Sequence, residues 1–155
     1  MSKNAFYDSL LSQLQALIEG ENDLIANLAN TSALLNLALE DLNWVGFYLL
    51  KSPDELVLGP FQGKPACLRI PVGKGVCGTA VASGQTQRVA DVHAFAGHIA
   101  CDGASNSEIV LPIFDQGRVV AVLDIDSPSL ARFDAEDQIG LERVATALEK
   151  LCWNG

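Results

Sequence analysis

Residues 108–126 of the chain read EIVLPIFDQGRVVAVLDID and contain two apolar runs on either side of a polar turn. The runs, 108–114 and 119–126, are short and rich in valine, isoleucine and leucine, a composition that favours β-strands. The connection Asp115-Gln116-Gly117 is too short for the crossover that parallel neighbours require. The stretch therefore predicts two adjacent antiparallel strands.

The segments on either side extend this pattern. Further strands are predicted at Trp44–Leu50, Leu56–Phe61, Cys67–Ile70 and Gln87–Ala90. Apolar residues at helical spacing predict helices at Asn4–Glu19 and Asp23–Leu42, a short helix at Gly75–Gly84 and a last helix capped by Asp134. The order predicts an α+β fold, in which N- and C-terminal helices pack on a central, mainly antiparallel sheet of about six strands.

Composition narrows the range of functions. The 155 residues suit one compact domain, and 49% of them are hydrophobic, enough for a substantial core. The net charge is −9 with no cluster of Lys and Arg, which argues against binding to nucleic acid or to an anionic membrane surface. No run approaches the roughly 18 apolar residues of a membrane span, and no signal peptide is evident, so we expect a cytoplasmic protein. Structural disulfides are then not expected, and the four cysteines are resting thiols, metal ligands or catalysts.

The segment Asp91–Ser107 has no regular period and contains both histidines and Cys101. A loop of this length inside a compact domain is usually functional, although a mobile surface excursion is the alternative. Small polar neighbours make burial of Cys101 in a core unfavourable, and His98 could lower the pKa of its thiol. Cys101 is therefore a candidate reactive thiol.

The other three cysteines carry weaker signals. Cys67 lies on a predicted strand, and Cys77 lies at a helix start, where the helix dipole would favour a thiolate. Core packing explains both equally well, and Cys152 falls on the inward stripe of the last helix as core filler. The spacings contain no C-x₂-C pair, so no metal site is predicted.

Asp124 and Asp126 lie two positions apart on a predicted strand, so both carboxylates point to one face. They could receive a cation such as an ammonium group; alternatively the strand ends there and both are solvated. A three-residue loop after Asp115 would place Glu108 opposite Asp126, whereas a two- or four-residue loop would send it to the other face. In the first case three carboxylates crowd together, and one could keep its proton and act as a general acid.

Trp44 and Tyr48 share a face of the first predicted strand, with Gly46 leaving a gap between them. Ordinary sheet packing explains the pair. The alternative is that the two rings form aromatic walls around the apolar or sulfur-bearing part of a ligand.

Several stretches together resemble the free methionine-(R)-sulfoxide reductases, which are single GAF-domain enzymes, and the resemblance runs from about Phe6 to Leu148. The stretches that carry it are Asn43-Trp44-Val45-Gly46-Phe47-Tyr48, Gly59-Pro60-Phe61-Gln62-Gly63, Gly75-Val76-Cys77-Gly78, Ser105-Asn106-Ser107-Glu108-Ile109-Val110 and Leu123-Asp124-Ile125-Asp126-Ser127-Pro128. The resemblance implies a single GAF domain over residues 1–155 that reduces free methionine-R-sulfoxide to methionine. Two positions depart from the family pattern, Ala96 in place of proline and Gly103 in place of alanine, and both predict a looser loop.

The resemblance also implies roles for individual residues. Cys101 would be the nucleophile, Cys67 would resolve it as a disulfide and Cys77 would be auxiliary, with the choice between Cys67 and Cys77 left open. The acids Glu108, Asp124 and Asp126 would bind substrate between the aromatic walls Trp44 and Tyr48. No cofactor is implied; thioredoxin would be the reductant and the enzyme a homodimer. The rival interpretation is a non-catalytic GAF module that senses a small molecule.

Overall fold

The structure, a computed structural model, describes residues 1–99 and 103–153. Its helices are α1 (Lys3–Ile18), α2 (Leu24–Ala38), α3 (Gly75–Ser83) and α4 (Ala135–Leu148), with a 3₁₀ turn at Val92–Ala94 and a π-helical turn at Glu149–Trp153. Its strands are β1 (Trp44–Ser52), β2 (Glu55–Gly63), β3 (Arg69–Pro71), β4 (Gln87–Val89), β5 (Ser107–Asp115) and β6 (Arg118–Ser127). The strands form one antiparallel sheet in the order β3-β2-β1-β6-β5-β4. The predicted α+β fold is confirmed.

The sheet has two covered faces, because alternate side chains of each strand point to opposite sides. On one face, Phe47 and Leu123 belong to a core that includes residues of α1, α2 and α4. On the other face, Tyr48 and Val122 pack with Val76 of α3. The smaller second layer leaves part of that face open, and the functional site lies there.

Helix termini follow the capping signals of the sequence. Asp134 caps α4 through a reciprocal capping box with Asp137, as its position predicted. The helix predicted to reach Leu42 ends earlier, at Ala38, because Leu39 already has an extended backbone. Cys152, in the π-helical turn, is half-buried against the core, which agrees with its prediction as core filler. Within residues 1–99 and 103–153, no helix combines the length and apolar character needed to cross a membrane.

The predicted strand Cys67–Ile70 is wrong in its first half. β3 begins at Arg69 and pairs with β2 only as far as Val57. Beyond that point β2 carries Gly59 and Pro60, and proline has no N–H to continue a ladder. Cys67 therefore lies in a loop, outside the sheet.

The β5–β6 hairpin closes through a two-residue turn, Gln116-Gly117, instead of the three-residue loop considered from the sequence. Both residues have positive φ, 52° and 79°, as a type I′ turn requires. With a regular ladder, this turn would send Glu108 to the face opposite Asp126.

A β-bulge next to the turn reverses that outcome. Phe114 pairs with Val119, but Ile113 pairs with Ala121, so β6 contains one extra residue. The backbone N–H of Phe114 donates a hydrogen bond to Glu149 Oε2 at 2.8 Å. A carboxylate from the far end of the chain thus satisfies a donor at the bulge.

The bulge restores the register that brings the acids together. Glu108 pairs with Asp126, and Val110 pairs with Asp124, so all four side chains share one face. Of the two registers that the sequence left open, the one with Glu108 opposite Asp126 is observed, but it arises from a two-residue turn and a bulge instead of a three-residue loop.

We expect Glu149→Ala to lower the free energy of unfolding by about 1–3 kcal/mol, because the partly buried Phe114 N–H would lose a charged acceptor. Glu149→Gln keeps a side-chain oxygen and should cost less. Urea unfolding of both variants measures the difference. Wild-type stability in Glu149→Ala would show that the bulge does not need this acceptor.

Candidate active site

A pocket opens on the α3 face of the sheet, and six residues singled out from the sequence line it. They are Trp44, Tyr48, Cys77, Glu108, Asp124 and Asp126. The aromatic pair comes from β1, the acids come from β5 and β6, and Cys77 comes from the first turn of α3. The sheet register and one short helix therefore gather these side chains.

The three acids form one buried cluster. Glu108 is 7% exposed and Asp124 is 6% exposed. Glu108 hydrogen-bonds to both Asp124 and Asp126. The Oδ1 atom of Asp124 is buried without a hydrogen-bond partner among the described residues. The alternative of a strand that ends in two solvated aspartates is wrong, at least for Asp124.

Burial and the crowding of like charges together shift the pKa values of this cluster. Burial, together with the charges of Asp124 and Asp126, raises the pKa of Glu108 well above its ordinary value. Burial also raises the pKa of Asp124, while hydrogen bonds from Glu108 and Cys77 oppose that shift. Such a cluster favours the protonated form of Glu108, which can supply its proton to a bound substrate.

Cys77 does not have the thiolate character that its place at a helix start predicts. The thiol is free and buried, and burial together with Asp124 and Glu108 raises its pKa well above the ordinary value. The helix dipole falls off within a turn and is outweighed here. The residue hydrogen-bonds to Asp124 as a neutral thiol.

The same atoms could surround a cation. One ligand atom from each of Cys77, Glu108 and Asp124 lies within 4.8 Å of the others, the one such group found among residues 1–99 and 103–153. Two carboxylates and a thiol could hold a divalent metal ion. Carboxylates at this spacing equally suit an ammonium group.

The aromatic pair forms one wall rather than two. Trp44 and Tyr48 stack with ring centroids 5.9 Å apart, and Trp44 also stacks on Phe61 at 5.2 Å. The predicted gap above Gly46 is absent, because a Cβ atom there would lie 2.3 Å from the Cβ of Phe61. β2 approaches β1 closely at this glycine, and Phe61 of β2 occupies the space beside Trp44.

Of the other two cysteines predicted to act in catalysis, the structure describes only Cys67. Cys101 lies outside the described residues, so its role stays a prediction. Cys67 is partly buried in the loop before β3 and packs against the hydrophobic cluster around Tyr48. Its neighbour Ala66 lines the pocket. The Cys67 loop therefore borders the candidate site.

Sequence reasoning did not assign His98 and Ser105 to the pocket, yet both line it. Burial lowers the pKa of His98, and nearby His93 adds to the effect, so the ring is largely neutral at pH 7. Ser105 accepts a hydrogen bond from Asn43 Nδ2 at 2.9 Å. The sequence had pointed to His98 as a neighbour of Cys101 and to Ser105 as part of a stretch shared with the family, but the irregular segment carries no period from which to infer where their side chains point.

Comparison with known proteins identifies the fold family and then a narrower group. Residues 31–150 match the GAF domain family. A free methionine-R-sulfoxide reductase from Escherichia coli (strain K12) is 59% identical over 151 residues, which cover 97% of this chain and 91% of that protein. The chain belongs to the free methionine-R-sulfoxide reductase family.

More distant members agree with this placement. A free methionine-R-sulfoxide reductase from Saccharomyces cerevisiae is 43% identical over 160 residues, covering 98% of this chain and 88% of its own length. The X-ray structure of a free methionine-R-sulfoxide reductase from Neisseria meningitidis, in complex with its substrate, superposes with a TM-score of 0.94. It is 50% identical, and the match covers 99% of this chain and 92% of that one. The family consists of oxidoreductases, which argues against a non-catalytic sensor.

Proposed function

We propose that this protein reduces free methionine-R-sulfoxide to methionine. The observation that carries the proposal is the cluster of Glu108, Asp124 and Asp126 at a pocket with an aromatic wall. An amino acid with a cationic ammonium group and a sulfur-containing side chain complements both parts of that pocket. The names of the Escherichia coli and Saccharomyces cerevisiae relatives support the same activity.

Recognition of the free amino acid would depend on its ammonium group. Asp124 and Asp126 would accept hydrogen bonds from this group, and the unpartnered Oδ1 of Asp124 offers one acceptor. The sulfur-bearing side chain of the substrate would contact the wall formed by Trp44 and Tyr48. A methionine within a peptide has no ammonium group, so the site would reject it.

Reduction would proceed by nucleophilic catalysis at Cys101. The thiolate attacks the sulfoxide sulfur and forms a sulfur–sulfur bond, while Glu108 gives a proton to the sulfoxide oxygen. The resulting hydroxyl then passes from the methionine sulfur to the Cys101 sulfur as the sulfur–sulfur bond breaks, which releases methionine and leaves Cys101 as a sulfenic acid. The raised pKa of Glu108 supports this role, since it favours the protonated acid.

Regeneration would use Cys67 rather than Cys77. Cys77 is buried with a raised pKa, so little of it is a thiolate, and a thiol attacks a sulfenic acid or a disulfide as the thiolate. Cys67 lies in a partly buried loop at the pocket edge. Thioredoxin would then reduce the Cys67–Cys101 disulfide. A cytoplasmic location and a homodimer remain predictions from the sequence.

A substrate comparison tests the proposal. The protein should convert free L-methionine-R-sulfoxide with dithiothreitol or thioredoxin as reductant, and should leave the S epimer and a peptide-bound sulfoxide unchanged. Methionine is quantified by amino-acid analysis. Equal rates with both epimers, or no turnover of either, would overturn it.

A further inference from the structure

The loop that carries Cys67 is tied to the aromatic wall of the pocket by two side-chain hydrogen bonds. The Tyr48 hydroxyl donates to the backbone oxygen of Cys67 at 2.9 Å. The Trp44 indole Nε1 donates to the backbone oxygen of Lys64 at 3.2 Å. Both donors come from β1, the strand at the centre of the sheet beside β6.

The donors themselves are held rigidly. Trp44 and Tyr48 are each 2% exposed and stack on each other, and Trp44 also stacks on Phe61, so neither ring has much freedom to move. Burial raises the pKa of Tyr48, so its hydroxyl remains a donor throughout the neutral range. Residues 64–68 lie between the end of β2 and the start of β3, where the Leu58 N–H donates to the Leu68 backbone oxygen at 2.9 Å and Cys67 is disulfide-bonded.

We propose that the Tyr48 hydroxyl, assisted by the Trp44 indole, positions Cys67 for closure onto the oxidised nucleophile. This inference rests on the proposed function, in which Cys67 resolves the sulfenic acid of Cys101. The wall that receives substrate is then also the anchor of the regenerating thiol. Tyr48 is a positioning residue in this step, since it acts through the backbone of Cys67.

The closure step balances without an added oxidant. The thiolate of Cys67 attacks the sulfenic sulfur of Cys101, a sulfur–sulfur bond forms and the sulfur–oxygen bond breaks. The departing hydroxide takes up the proton released by the Cys67 thiol and leaves as water. The oxidising equivalent comes from the sulfoxide consumed in the preceding step.

Tyr48→Phe tests the inference because it removes the hydroxyl and keeps the ring. A single turnover without reductant yields two rates, methionine formation by amino-acid analysis and disulfide formation by mass spectrometry after dimedone trapping. We expect the ratio of disulfide formation to methionine formation to fall by roughly three- to tenfold, the scale of one lost hydrogen bond. Trp44→Phe removes the other donor and should shift the ratio in the same direction.

Tyr7→Phe is the matched control. Its hydroxyl donates to Asp137 Oδ1 at 2.8 Å on the opposite side of the sheet, so the variant loses a buried hydrogen bond away from the site. Its rate ratio should equal that of the wild type. An unchanged ratio in Tyr48→Phe and Trp44→Phe, or an equal fall in Tyr7→Phe, would overturn the inference.

A second arm separates this inference from the proposed function. Hydrogen peroxide oxidises a reactive thiol to the sulfenic acid without any methionine sulfoxide. Disulfide closure after a peroxide pulse should again be slower in Tyr48→Phe than in the wild type. Failure of the wild type to form methionine would count against the proposed function, whereas closure at the wild-type rate in Tyr48→Phe would count against the positioning role.

Discussion

Cys101→Ser is expected to abolish reduction of free methionine-R-sulfoxide, with a fall in kcat of at least about a thousandfold, as for loss of a catalytic nucleophile in general. A serine hydroxyl ionises far above neutral pH, and it cannot form the sulfenic acid that carries the oxygen away. The variant keeps the acids and the aromatic wall, so it should still bind substrate. Turnover and binding are measured separately, by methionine formation and by calorimetry.

The chain offers matched cysteine controls. Cys152 is a free, half-buried thiol packed against the core on the other face of the sheet, so Cys152→Ser should retain wild-type turnover. Cys67→Ser should complete one turnover and then stop as the sulfenic acid, with little recycling by thioredoxin. Full activity in Cys101→Ser would refute the nucleophile assignment.

Peptide mapping after one turnover distinguishes the two candidate resolving thiols. A Cys67–Cys101 link is expected, because burial beside Asp124 keeps Cys77 protonated. Cys77→Ser should therefore still close the disulfide, although the change at Asp124 would lower its rate of turnover. A dominant Cys77–Cys101 link would exchange the roles of Cys67 and Cys77.

The fold was predictable because its signals are local. Apolar periodicity located the helices, and the acids at 124 and 126 shared a face by strand alternation alone. The face on which Glu108 lies could not be predicted in this way, since it depends on whether the number of residues between the paired strands is odd or even. That parity was set by the bulge beside Phe114, and Glu149, 35 residues later, supports it. Such a contact has no signature in the neighbouring sequence.

The thiolate argument for Cys77 was wrong for a related reason, whereas the alternative of core packing agrees with its burial. Its place in the first turn of α3 is visible in the sequence, and the dipole argument follows from that place. Its burial against Asp124 comes from packing α3 on the sheet, which the sequence does not specify. Desolvation and like charge then outweigh the dipole. Predictions of pKa need the tertiary neighbours of a group, whereas predictions of secondary structure often do not.

Glu108→Gln is expected to lower kcat by about a hundredfold to ten-thousandfold, the usual contribution of a general acid. The amide preserves shape and part of the hydrogen bonding to Asp124 and Asp126, but it has no proton to give to the sulfoxide oxygen. Since the acid works when protonated, wild-type activity should fall as pH rises through the raised pKa of Glu108. The variant should lack this fall in activity on the alkaline side of its pH–rate profile.

The stability of Glu108→Gln provides an independent test, because the substitution should raise stability at high pH although it lowers kcat. The folded pKa of Glu108 is raised, so between its unfolded value of about 4.3 and the raised value the folded state binds more protons than the unfolded state. The free energy of unfolding therefore falls as pH rises through this window. Glu108→Gln removes that dependence, so the variant should be the more stable protein above the window while being the poorer enzyme.

This pairing of lost activity with gained stability separates a catalytic acid from a structural carboxyl. Glu136→Gln makes the same chemical change at an exposed position in α4 and should alter neither profile. If Glu108 acted only by packing or by hydrogen bonding, its amide would cost activity and stability together, with the alkaline limb retained. Urea unfolding from pH 4 to pH 9, beside kcat over the same range, decides between the two roles. A stabilised variant that kept wild-type kcat would transfer the acid role to Asp124 or Asp126, whose carboxyls belong to the same cluster.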